Sequence, residues 1–378
     1  MSPIVRGHTE TATHDVSPQL LKEALDTGAA MTVLDVRDPD EYASWRIPGS
    51  VNMPERHLRE RVHDLPRHRE IVTVCLHGVR SARATRFLLE QGYAARTMAG
   101  GMVAWNSVYD VADVPTGSAD IQVLQFRRLG KGCVSYLLGG RGEAFIIDPT
   151  IDSDVYLREA EARGLHINAV IDTHIHADHV SGGWELTART GTEYSTPIVP
   201  GGKRIGHGTI HLNTLLSLGG ALLRVIATPG HTRESVTYVV EDLALTGDTL
   251  FTDSVGRPDL GENTRSFAAT LWDTLHNVLG TLPTETRVLP AHVGESTRMA
   301  ARTPVTATIG EIQKTVSAFR MAREEFVAWV VENTPEKPPN VETIKGINLG
   351  LSPRPAVEDI RELEAGPNRC AVPGPEIL

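Results

Sequence analysis

Short apolar runs that end on a polar or turn-forming residue recur along this chain, with helical stretches between many of them. Met31 to Val36, Val72 to Cys75, Cys133 to Leu138, Ala144 to Ile147, Ala169 to Ile171 and Leu222 to Ala227 are each too short for a buried helix and rich in β-branched residues, so they predict strands. Ser17-Pro18 ahead of Gln19 to Leu25 predicts a helix with an N-cap and proline at its first position. A second helix is expected over Ser81 to Gln91, a third over Asp152 to Arg163 and more over Gly310 to Asn333. The last of these has Phe319, Phe326, Trp329 and Val330 near helical spacing, suited to covering a sheet or to contacting a second copy in a homo-oligomer.

The punctuation divides the chain. Residues 1–12 read as a polar tail, 13–110 as a small α/β unit with a parallel sheet, and 111–120, broken by Pro115 and Gly117, as a linker. Residues 121–350 form a larger strand-rich unit, and 351–378 a Pro/Gly-rich tail.

At 378 residues there is room for two cores, and 40% hydrophobic with 22% charged residues is ordinary for a globular protein. The formal charge of −10 argues against nucleic acid or anionic membrane as partner. No apolar run approaches the ~18 residues of a membrane helix, and no leader pattern opens the chain. Three cysteines, Cys75, Cys133 and Cys370, make no disulfide framework. A cytoplasmic location is expected. Cys133, in an apolar run, reads as core and Cys370 as a tail residue.

Cys75 ends an apolar strand and is followed by Leu76-His77-Gly78-Val79-Arg80-Ser81 and a helix start. Such a loop aims backbone N–H groups and a helix N-terminus at the sulfur, which favours the thiolate and an anion beside it. Four residues separate Cys75 from Arg80. Cysteine phosphatases use a C-x5-R ring around phosphate; a tighter ring suits a single sulfur carried as a persulfide. With Leu34 to Arg37, Glu41-Tyr42, Ile47 to Ser50 and Gly100 to Trp105, the segment resembles a rhodanese (thiosulfate sulfurtransferase) domain. The resemblance implies that Cys75 accepts sulfane sulfur from thiosulfate, that Arg80 helps hold the anionic donor, and that His77 lies beside it.

The second unit carries His174-Ile175-His176-Ala177-Asp178-His179 directly after a strand, four metal-capable side chains in six residues. His231, Asp248 and His292 also stand at strand ends; His207 and His211 alternate like ordinary strand positions. Together these resemble the metallo-β-lactamase superfold, an αββα sandwich with the metal where the loops converge. Two schemes fit. In one, like glyoxalase II, two zinc ions are held by His174, His176 and His231 and by Asp178, His179 and His292, bridged by Asp248, and the reaction is thioester hydrolysis. In the other, one Fe(2+) sits on His174, His231 and Asp248, and His176, Asp178, His179 and His292 shape the surrounding shell.

Asp253 to Leu260, with Gly256, Arg257 and Asp259, and the segment from Lys337 to Asn348 resemble the persulfide dioxygenases, the iron-dependent branch of that superfamily. The resemblance implies oxidation of a low-molecular-weight thiol persulfide, such as that of glutathione, to sulfite, with Arg257 and Thr232 touching substrate. A sulfurtransferase beside such an oxidase shares its intermediate, the persulfide.

Overall fold

The computed structural model describes all residues except 1–13, 198–207, 262, 294–299, 338–339, 368 and 373–378. The expected polar tail 1–12 and His207 lie outside the described residues. The chain divides into two compact units, Met1–Val108 and Tyr109–Leu378.

In the first unit five strands make a wholly parallel sheet, in the spatial order Asp15–Val16, Ala95–Met98, Glu70–Val74, Met31–Asp35, Val51–Asn52. Helix Pro18–Asp26 begins as expected: the Ser17 hydroxyl accepts the Leu20 N–H and Pro18 takes the first turn. Leu34, Ile71, Ala84 and Leu88 bury the face of the sheet against helix Val79–Glu90. Asp35 and Arg37, both buried, form a 2.7 Å ion pair.

The second unit is an αββα sandwich. One sheet has seven strands, running from Gly208–Ile210 at one edge through Tyr194–Pro197, His166–Ile171, Glu143–Ile147, Val134–Gly140 and Gln122–Arg128 to Tyr109–Val114. The other has six, running Leu215–Leu218, Ala221–Ala227, Val236–Val240, Leu243–Gly247, Arg287–Pro290, Ala307–Thr308. Side-chain alternation decides which core each residue joins. Tyr136, Leu138, Phe145 and Ile147 meet Val225, Tyr238 and Leu245 between the sheets. Leu137, Ala144 and Ile146 turn the other way, against helix Ser153–Ala162. With both faces buried, these strands read as continuous apolar runs.

Three expectations are corrected here. Residues 111–114, read as linker, belong to strand Tyr109–Val114, paired antiparallel from Tyr109↔Arg128 to Val114↔Val123. Asp110 is buried as the ion-pair partner of the buried Arg127, so its acidity signals pairing and not solvation. The segment after 350 is not a tail among its described residues: it forms helix Val357–Leu363 and strand Ala371–Val372, the latter paired with Val255–Gly256. Its Glu364 is buried and bonded to the buried Arg128, which needs a carboxylate there. The stretch 310–333 breaks into Ile309–Thr315, a 3-10 turn and Arg323–Asn333. Phe326, Val330 and Trp329 pack with Leu271 and Val288, covering the six-stranded sheet.

Candidate active sites

The metal-capable residues read as ligands lie beyond the C-terminal ends of strands of the second unit. His174 follows His166–Ile171, His231 follows Ala221–Ala227, Asp248 follows Leu243–Gly247 and His292 follows Arg287–Pro290. Gly247, at φ +55, is required before Asp248: a Cβ there would stand 2.4 Å from the Thr173 hydroxyl and 3.4 Å from His174 Nδ1. Glycine takes that backbone without strain.

His174, His231 and Asp248 converge, with ligand atoms within 4.8 Å of one another and all three buried. His231 Nε2 lies 3.6 Å and His174 Nε2 3.8 Å from Asp248 Oδ2. Both imidazoles are oriented through their other nitrogen. His174 Nδ1 meets the Thr173 hydroxyl at 2.9 Å, and that hydroxyl donates to Asp148 at 2.9 Å. His231 Nδ1 donates to the Arg257 carbonyl at 2.9 Å. Each Nε2 therefore presents a lone pair to the same point as Asp248 Oδ2. Burial lowers the basicity of His174 and His231, more strongly for His174, where the neighbouring His176 adds to it. Burial pushes the Asp248 carboxyl up, but His292, its hydrogen bond, His174 and His231 outweigh it, and the group sits below its ordinary value. His174 Nε2 and Asp248 Oδ2 are buried without a hydrogen-bond partner. These two orphaned atoms, with His231 Nε2 3.6 Å from Asp248 Oδ2, make a set of two imidazoles and one carboxylate that fits a divalent cation.

The remaining four residues gather beside this triad but bond chiefly to one another. His292 is held at both nitrogens, Nδ1 at 2.6 Å from Asp248 Oδ1 and Nε2 at 2.8 Å from Asp178 Oδ2. His179 Nδ1 is 3.1 Å from Asp178 Oδ1. Burial opposes protonation of His292, yet the two flanking carboxylates raise its pKa well above the ordinary histidine value; Asp178 does the same for His179. His176 Nε2 reaches Asp148 at 3.2 Å. His176 Nδ1 and His179 Nε2 are left without partners.

Arg257 has a different task from the one expected. It is fully buried, and its guanidinium donates to both oxygens of Asp259 and to the carbonyls of Pro335, Glu336 and Arg369. That uses all five donors of the group, so none remains for a substrate anion. It clamps the C-terminal segment to the loop behind Asp248. Thr232 is half-buried, its hydroxyl 2.7 Å from the Ser235 hydroxyl, and lines a cavity beside the triad.

Several residues here were not singled out. Asp148, in a left-handed conformation at φ 53, carries Thr173 and His176. Asn348 donates to the carbonyls of His176 and His179 and accepts the Ser181 N–H, while Glu364 accepts the Val180 N–H. Cys133 and Cys370 are both buried against the cluster, in groups with His292. Burial raises the Cys133 thiol, but His179 and His292 bring it down to about 7; burial and nearby carboxylates push Cys370 up. Asp148-Pro149 after an apolar strand was a usable signal for the first of these. For Cys370 the sequence carried none, because chain folding alone returns it to the site.

In the first unit, Cys75 stands between strand Glu70–Val74 and helix Val79–Glu90 and is buried. Its sulfur accepts the Ser81 N–H at 3.3 Å, and Gly78, at φ +93, makes the turn. Met102 and Val103 donate to the Cys75 and Leu76 carbonyls, an approach possible only because Gly101 has no Cβ. Arg80 forms a forked pair with Glu41, at 2.8 and 2.6 Å, and His77 is exposed on the loop.

Comparison with known proteins agrees with this geometry. Residues 17–108 match the model of the rhodanese-like domain, and residues 129–199 that of the metallo-beta-lactamase superfamily. A hydroxyacylglutathione hydrolase from Methylococcus capsulatus is 33% identical over 262 residues, covering 64% of this chain and 96% of that protein. The chain belongs to the metallo-beta-lactamase superfamily. It carries a rhodanese-like domain ahead of the superfamily fold. Among solved structures, a metallo-beta-lactamase from Staphylococcus aureus superposes with TM-score 0.56 at 29% identity, over 61% of this chain and 72% of that one. ETHE1 from Myxococcus xanthus gives 0.53 at 27% identity, over 60% and 97%. The superfamily fold implies a divalent metal. No helix among the described residues is long and apolar enough to cross a membrane.

Proposed function

We propose that this protein is a bifunctional sulfur enzyme, oxidising a low-molecular-weight thiol persulfide with dioxygen at one iron ion per chain and transferring sulfane sulfur through Cys75. The carrying observation is the state of His292. Both of its nitrogens are within hydrogen-bond distance of a carboxylate, and Asp178 in turn is shared by His292 and His179. A second metal ion would need the His292 and Asp178 atoms that this pairing engages, whereas His174 Nε2 and Asp248 Oδ2 have no hydrogen-bond partner and converge with His231 on one point.

His174, His231 and Asp248 would hold Fe(2+), which when bound would supply the redox chemistry for reaction of the persulfide with oxygen. Thr173 and the Arg257 carbonyl keep both imidazoles in the tautomer that ligation needs. His292 fixes the unligated oxygen of Asp248. The balanced reaction consumes persulfide, dioxygen and water and yields thiol, sulfite and two protons.

At Cys75 the thiolate would attack the outer sulfur of thiosulfate, breaking its S–S bond and releasing sulfite, and the resulting persulfide would pass its sulfur to a thiol. The Ser81 N–H and the start of helix Val79–Glu90 stabilise the anionic sulfur, with Arg80 held nearby by Glu41.

Hydrolysis of a glutathione thioester at two zinc ions is the second reading. It is favoured by the relatives named hydroxyacylglutathione hydrolase and by the unpartnered His176 Nδ1 and His179 Nε2. Oxygen uptake by the iron-loaded protein with glutathione persulfide separates the two. Uptake with stoichiometric sulfite supports oxidation; hydrolysis of a hydroxyacylglutathione without uptake rejects it.

A further inference from the structure

Cys75 is buried to 2% exposure, and the first two arginines of the helix that follows it are both already paired. Arg80 gives one N–H from each terminal nitrogen to the Glu41 carboxylate, at 2.8 and 2.6 Å. Arg83, one turn on, makes a second forked pair with Glu55, at 2.7 and 2.8 Å. Glu41 comes from helix Pro39–Ser44, where it also accepts the Asp38 N–H at 3.0 Å as part of that helix's capping box. The hydrogen bond from Arg80 holds the Glu41 carboxyl below its ordinary value against the effect of burial, so the group is anionic at neutral pH. The side chains of Arg80 and Glu41 keep 30% and 34% of their surface exposed, within reach of a dissolved anion.

We infer that Glu41 is a specificity-determining residue for the sulfur donor: it shares Arg80 with the incoming anion and disfavours a doubly charged donor such as thiosulfate. Donors with one charge at the transferable end, an organic persulfide or a thiosulfonate, are favoured in its place. The inference rests on the proposed transfer through Cys75 with Arg80 holding the donor. Arg80 keeps N–H groups beyond the two given to Glu41, so an anion can still bond to it. What Glu41 removes is charge. A guanidinium whose field is cancelled by a bonded carboxylate attracts a second anion weakly, and the repulsion from that carboxylate scales with the donor's own charge. Arg83 does not restore the balance, because Glu55 neutralises it in the same way. The chemistry is common to all three donors. The Cys75 thiolate attacks the outer sulfur and the donor's S–S bond breaks. The electron pair leaves with sulfite, thiolate or sulfinate, and the sulfur stays on Cys75 as a persulfide.

The test compares thiosulfate, a dianion, with methanethiosulfonate, a monoanion of similar shape, as donors to cyanide in the full-length protein. Glu41→Gln keeps an acceptor for the Asp38 N–H, since glutamine also suits a capping box, and removes the charge. KM for thiosulfate should fall about tenfold and KM for methanethiosulfonate about threefold, because the dianion gains twice the interaction. The gap between the two should narrow as salt is added. Glu41→Asp, which retains a carboxylate, should keep the donor preference of the wild type. Arg80→Gln checks the reading beneath, and should raise the thiosulfate KM about tenfold. If Arg80→Gln does so but the thiosulfate KM is unchanged or raised in Glu41→Gln, or falls no further than that of methanethiosulfonate, the inference is overturned and the role of Arg80 stands. Unchanged KM values in Arg80→Gln would overturn both.

Discussion

The two oxygens of Asp248 face different partners: Oδ1 is 2.6 Å from His292 Nδ1, while Oδ2 points toward His174 and His231 with no hydrogen bond of its own. In a two-metal site this carboxylate bridges, and each oxygen is a ligand. Here one oxygen is spoken for by an imidazole that is itself held at its far side by Asp178. On the one-iron proposal His292 would orient a ligand and not itself bind metal.

Replacing His292 by Gln should therefore leave the metal count at about one iron per chain while weakening iron binding roughly 10- to 100-fold, the usual cost of losing an outer partner. Metal analysis across a chelator series reads both quantities. A fall from two metal ions to one on this substitution would show that His292 is a ligand and restore the dinuclear scheme.

Arg257 gives a prediction of the opposite kind from the one its sequence context suggests. Its five donors bind Asp259 and three carbonyls of residues 335, 336 and 369, so Arg257→Ala leaves a half-buried carboxylate and three acceptors unsatisfied. The loss should be about 3–5 kcal/mol of stability, since breaking a buried ion pair from one side leaves an uncompensated charge. Thermal unfolding measures it. An unchanged Tm with only a raised KM would return Arg257 to the substrate.

Gly101 sits at φ +60, and a Cβ there would stand 2.3 Å from the Cys75 carbonyl oxygen and 2.5 Å from that of Leu76. Gly101→Ala must move the reactive loop or the helix that starts there. Sulfur transfer from thiosulfate should drop at least about tenfold, with left-handed strain of about 1–2 kcal/mol added to the steric cost. Oxygen uptake with glutathione persulfide reads the other unit and should hold near the wild-type rate.

The strands and both reactive clusters were legible because each is local. A strand end followed by His, Asp or Cys shows in a few residues, and the parallel unit announced itself through Ser17-Pro18 and the Cys75 loop. What escaped was long-range pairing. The strand that holds Asp110 was missed because its partner Arg127 lies across a hairpin, and the C-terminal segment looked like tail because Arg128 and Arg257, its anchors, sit far back in the chain. The role of Arg257 was misread for the same reason: a cation near a ligand is equally well placed for a substrate or for carbonyls the sequence does not reveal.

Cys75→Ser separates the two proposed activities. Serine keeps the volume and still meets the Ser81 N–H, so the unit should fold with little change. An alkoxide is not formed at that position at neutral pH, and oxygen carries no persulfide, so transfer from thiosulfate to glutathione should fall to background. The triad proposed to hold iron lies wholly in the second unit, so the substituted protein supplied with glutathione persulfide should consume oxygen at the wild-type rate, while with thiosulfate and glutathione in its place it should consume none. Uptake from thiosulfate and glutathione by Cys75→Ser would mean that persulfide arises without Cys75, and the proposed relay would be wrong even if the oxidation is right.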